Sequence, residues 1–75
     1  MTARLLKRVG EAIYGPLWQS EMARSLLVND RTVRRWVVGE SPIPEGVWGD
    51  LMEQAVERAE RLSQAVADLQ ERQNH

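Results

Sequence analysis

The residues Trp18-Gln19-Ser20-Glu21-Met22-Ala23-Arg24-Ser25-Leu26-Leu27-Val28-Asn29-Asp30-Arg31-Thr32-Val33-Arg34-Arg35-Trp36-Val37-Val38-Gly39-Glu40 decide the reading of this chain. Trp18, Met22, Ala23 and Leu26 fall on one face of a helix, with Gln19, Ser20 and Arg24 outside it. A break follows at Leu27-Val28-Asn29. Asn29 suits a helix N-cap, because its side-chain oxygen can accept from amides two or three residues on. Asp30 then stands where the helix dipole favours a negative charge. The next helix is expected over 30–38, with Val33, Trp36 and Val37 inward and Arg31, Arg34 and Arg35 outward. Gly39 closes it as a C-terminal glycine.

Outward from this stretch, two more helices are expected. Residues 3–14 place Leu5, Leu6, Val9, Ala12 and Ile13 at one-face spacing, and Gly15-Pro16 stops the run. After Gly39, residues 40–44 form a connector with two prolines, and Pro44 suits a helix start, where its missing N–H costs nothing. From Glu45 to Gln73 there is no proline, and glycine occurs only at Gly46 and Gly49. Trp48, Met52, Ala55, Ala59, Leu62, Val66, Leu69 and Gln73 alternate steps of four and three, a heptad seam. A helix of about 29 residues is roughly 43 Å long at 1.5 Å per residue, more than three short helices can cover. From about Arg58 onward it is expected to pair with another chain or to face water, and Ala55, Ala59, Leu62, Val66 and Leu69 are the expected dimerisation positions.

The expected fold is therefore all-α: one domain over 1–75, with residues 17–39 as two short helices and 44–73 as a long C-terminal helix. Two short helices meeting at a three-residue break, with small Ala23 at their contact, leave Arg31, Thr32, Arg34 and Arg35 on the outside of the second. This is the layout of a helix-turn-helix, whose second helix enters the DNA major groove.

The stretch resembles the phage-repressor and Cro-type (lambda-repressor-like) helix-turn-helix family of small bacterial and phage regulators. The resemblance is carried by Asp30 to Trp36, by Gly39-Glu40 and by Pro42-Ile43-Pro44, and spans about residues 5–52. It implies base-contacting roles for Asn29, Asp30, Arg31, Arg34 and Arg35. It implies phosphate-contacting roles for Gln19, Ser20 and Thr32. The chemistry agrees, since an arginine fork matches guanine O6 and N7, and amides at a helix start hold phosphate. Asp30 has two readings: acceptor for cytosine, or support for the helix start and for Arg34 one turn on. One departure stands out. The family usually has glycine in the turn, where this chain has Leu27. A left-handed backbone there costs leucine roughly 1–2 kcal/mol; another turn shape avoids that cost.

Composition narrows the function classes. The 75 residues carry a net charge of −1 and no cysteine, so neither a disulfide nor a thiolate zinc site supplies stability. A domain this small is marginal alone, which makes a partner chain an early expectation. The only histidine is His75, read as a chain end. No Ser–His or Cys–His nucleophile and no metal site is expected, hence no enzyme and no cofactor. No apolar run reaches the roughly 20 residues of a membrane span, and none of signal-peptide length follows Met1 to Arg8. A cytoplasmic, bacterial or phage-encoded protein is the expectation, consistent with the absent cysteines.

The near-zero net charge hides an asymmetry. Residues 1–39 hold seven Lys and Arg against three acids, a net +4, and residues 40–75 hold three Arg against eight acids, a net −5. A basic half suits a polyanion. The expected function is a sequence-specific, double-stranded DNA-binding transcriptional regulator, a repressor acting as a homodimer on a two-fold operator. The alternative is a protein-interaction module, such as an antitoxin or adaptor, binding a protein partner through the acidic C-terminal helix. RNA is disfavoured because its A-form major groove is too narrow for such a helix. Trp18, Trp36 and Trp48 are read as packing residues rather than stacking platforms for single strands. Arg4, Lys7 and Arg8 read equally as backbone contacts or a plain exposed face.

Overall fold

A computed structural model describes residues 2–74; Met1 and His75, and the readings made of them, lie outside the described residues. Four α-helices follow one another: α1 (Thr2–Tyr14), α2 (Trp18–Leu26), α3 (Asp30–Val38) and α4 (Glu45–Gln73), with no strand among the described residues. No helix of the structure is long and apolar enough to cross a membrane.

Local chemistry ends each element. Gly15, at φ 86°, donates its N–H to the Glu11 carbonyl at 2.9 Å and turns the chain out of α1. At the end of α2, Leu27 N–H reaches the Arg24 carbonyl and Val28 N–H the Ala23 carbonyl at 3.0 Å. The end of α3 repeats the pattern: Gly39 N–H bonds to Trp36 and Glu40 N–H to Arg35. Both are Schellman closures, which need a left-handed residue just past the helix. Gly39 supplies one at φ 81°, ψ 11°, and Leu27 supplies the other at φ 59°, ψ 39°. So Leu27 adopts the left-handed turn in spite of its Cβ. Its side chain is 91% exposed, so nothing crowds it beyond its own backbone.

The core takes one fully buried side chain from every helix: Leu6, Met22, Val33 and Leu51. Trp18 and Trp36 close its sides, and Ala23, Ile13 and Val47 complete it. Both buried tryptophans fit their reading as packing residues, while Trp48 is half-buried against the core edge.

Two inner faces differ from the expectation. On α1, Leu5 and Ala12 are exposed, while Leu6, Gly10 and Ile13 are buried and Val9 is half-buried. Gly10 explains the rotation. A Cβ there would stand 2.3 Å from Cε3 and 2.7 Å from Cδ2 of Trp18. The bare backbone of α1 lets the indole lie against it, and that contact selects the buried face. On α4, the core takes Val47 and Leu51 rather than the heptad stripe. Tyr14 hydroxyl donates to Gln54 Oε1, tying α4 to α1 on that same side. The stripe lies on the adjoining face, and every described residue from Val56 onward is exposed.

Candidate nucleic-acid interface

Asn29 builds the start of α3. Its backbone is extended (φ −89°, ψ 161°), and its Oδ1 accepts from the Thr32 N–H and the Thr32 hydroxyl, each at 2.9 Å. A cap of this kind stabilises a helix by about 1 kcal/mol. The Thr32 hydroxyl is thereby engaged within the chain, and the side chain is half-buried. Among the described residues the Asn29 amide NH2 donates to no partner, so its two donors are left over.

Asp30 has a partner that neither of its two readings named. Its Oδ2 accepts from the Ser20 hydroxyl at 3.2 Å, joining the first turn of α3 to the first turn of α2. Among the described residues Asp30 forms no ion pair with Arg34. Gln19 is half-buried beside Ser20, and the start of α2 carries no side-chain cap. Gln19, Ser20, Asn29, Asp30 and Thr32 therefore gather where the starts of α2 and α3 meet.

The three arginines of α3 stand on its outer face because Val33 and Trp36 hold the inner one in the core. The side chains of Arg31 and Arg34 make no hydrogen bond or ion pair among the described residues. Arg35 approaches the Glu40 carboxylate only at 3.9 Å, with both side chains more than half exposed. Such a contact is worth little in water. Arg31, Arg34, Arg35, Val38 and Glu40 line one shallow depression. One lining residue, Val38, is not singled out by the sequence: it is an exposed apolar side chain amid charge, at 67%. Its spacing of four from Arg34 and three from Arg35 was the available signal. By contrast, Arg24 on α2 is paired with Glu21 at 3.3 Å.

The expected dimerisation residues lie elsewhere, along α4. Ala55 is half-buried at the edge of the core, and Ala59, Leu62, Val66 and Leu69 are exposed. Near the head of the stripe, Leu5, Val9, Trp48, Leu51, Met52 and Ala55 form an apolar groove of about 370 Å³ between α1 and α4. Among the described residues no group of three or more His, Cys, Asp or Glu is arranged to hold a metal ion. No protein-family model, no curated protein and no solved structure matches this chain.

Proposed function

We propose that this protein is a sequence-specific, double-stranded DNA-binding transcriptional regulator of the helix-turn-helix kind, acting as a homodimer. The observation that carries the reading is the outer face of α3. Three arginines stand there on a helix locked from behind by Val33 and Trp36, and two of them have no partner among the described residues. Unpaired guanidinium groups on a rigid, exposed helix are poised to form bidentate contacts with guanine in the major groove. Each good pair contributes about 1–3 kcal/mol of discrimination. Val38 on the same face offers an apolar contact for a thymine methyl. Asn29 and Asp30 flank the arginines at the start of α3, while Gln19, Ser20 and Thr32 stand at the junction where a phosphate would be held. Nothing beyond the interface and the seam is needed to repress, since a dimer on a promoter occludes it.

The test is a binding selection from a random duplex library at near-physiological salt, with the Arg31→Ala, Arg34→Ala, Arg35→Ala triple variant as control. A two-fold motif that the variant loses supports the reading. No enriched motif, with wild type and variant alike, overturns it.

A second reading has its own observation: Leu62 and Leu69 are 66% and 61% exposed on a helix that carries most of the chain's acid. An adaptor or antitoxin would bind its protein partner there, and would keep that partner when the three arginines become alanine.

A further inference from the structure

We infer that the free seam of α4 is covered by α4 of a second copy running antiparallel, centred between Glu60 and Arg61. The inference deepens the dimeric reading above and rests on it for the choice of occupant.

The size pattern along the stripe carries the orientation. In an antiparallel pair with that centre, Trp48 meets the partner's Gln73 and Met52 meets the partner's Leu69. Ala55 meets the partner's Val66, and Ala59 meets the partner's Leu62. The two-fold axis repeats the same four layers, so both alanines are matched by a branched residue across the seam. A parallel pair sets like on like. Two successive alanine layers would then lie beside tryptophan and methionine layers. The spacing of two packed helices, about 8–10 Å, is set by the side chains between them. Rigid helices cannot close on alanine and stand apart on tryptophan within a few turns without leaving voids.

Charge agrees with burial of this face. The acidic residues between Trp48 and Gln73, namely Asp50, Glu53, Glu57, Glu60, Asp68 and Glu71, all fall off the stripe and its two flanks. On one flank Arg58 stands beside the partner's Ala65; on the other Val56 faces the partner's Ser63. No like charges meet. The groove between α1 and α4 completes the fit. It opens at the level of Trp48 to Ala55, where this pairing delivers the partner's Val66 and Leu69. Each exposed tail thus finds the other chain's apolar groove.

The same geometry sets the distance between the two places where α4 joins its own core. Val47 and Leu51 join α4 to its own core, chiefly against α1, so the attachment lies near residue 49. Under the antiparallel pairing the two attachments are about 23 residues apart along the helix pair, about 35 Å at 1.5 Å per residue.

Disulfide trapping tests the orientation, and the absence of native cysteine makes it clean. Met52→Cys and Leu69→Cys variants are prepared separately, one with a mass tag, then oxidised alone and mixed, without DNA. Both positions are exposed (Met52 at 65%), and circular dichroism checks that helix content is unchanged. The expected result is a bond between the two different variants and almost none within either. In the antiparallel pair, like positions lie about 26 Å apart, far beyond the roughly 7 Å that a disulfide spans. Bonds within each variant alone would overturn the proposal in favour of a parallel pair. No bond in any mixture would overturn it outright, whether sedimentation returns the 8.6 kDa chain or a dimer of about twice that mass. Because no DNA is present, failure of the pairing is distinguishable from failure of the DNA reading, which the library selection decides.

Discussion

Replacing Gly10 with alanine should destabilise the protein although alanine is the better helix former. Interior glycine disfavours a helix by about 0.8–1 kcal/mol relative to alanine, so the local effect is a gain of that size. Against it stands the new methyl group, 2.3 Å from Cε3 of Trp18 and 3.1 Å from Cε of Met22. Met22 can bend aside. The indole cannot, since it is rigid and 95% buried between α1 and the core. Restoring an ordinary contact of about 3.5 Å requires α1 and α2 to separate by roughly 1 Å, which disturbs Leu6 and Met22 together. Overpacking of this kind costs about 1–3 kcal/mol, with the severity of this clash favouring the upper end. The net loss is then about 1–2 kcal/mol. At this chain length each kcal/mol moves the melting temperature by about 4–8 °C, so a fall of about 5–15 °C is expected. The assay is thermal and urea unfolding at one fixed protein concentration, because dimerisation would make Tm concentration-dependent. Gly49→Ala is the internal control. It lies in α4 with nothing within 4 Å of its added methyl, and should raise stability by about 1 kcal/mol. A Gly10→Ala protein as stable as wild type would refute the argument that this glycine admits Trp18 and selects the buried face of α1.

Two further substitutions probe the α2–α3 junction. Leu27→Gly should stabilise the protein by about 0.5–1 kcal/mol, since relief of the left-handed leucine, roughly 1–2 kcal/mol, exceeds the added freedom of the unfolded chain; a loss of stability in urea unfolding would contradict it. Asn29→Ala should lower stability by about 1 kcal/mol through loss of its two hydrogen bonds to Thr32, whereas Asn29→Asp should retain most of it; an Asn29→Ala protein as stable as wild type would show that the cap contributes nothing.

The order and ends of the helices were legible in the sequence because their signals are local. Asn29 as cap, Gly39 as the left-handed closure and Pro44 at the entry of α4 each act on the backbone within a few residues. The outward direction of Arg31, Arg34 and Arg35 was legible for a similar reason, since Val33 and Trp36 leave a nine-residue helix one inner face. Partners across the junction were not. That Asp30 accepts from Ser20 depends on how two helices approach, and ten residues separate the pair in the chain.

Periodicity was a weaker guide where a helix carries more than one apolar stripe. On α1, Leu5 and Leu6 both fit a helical face, and only the contact of Trp18 with the bare Gly10 backbone turned Leu6 inward and left Leu5 exposed. On α4 the longest stripe is the heptad beginning at Trp48, yet Val47 and Leu51 on the adjoining face joined the core. What the sequence by itself determined, then, was four helices, the Asn29 and Gly39 caps of α3 and the basic outer face of that helix, all products of short-range backbone chemistry and side-chain spacing. The choice of buried face on α1 and α4, and with it a seam left open to solvent, was decided only by tertiary packing, because a side chain's burial depends on the shape of neighbours far away in the chain.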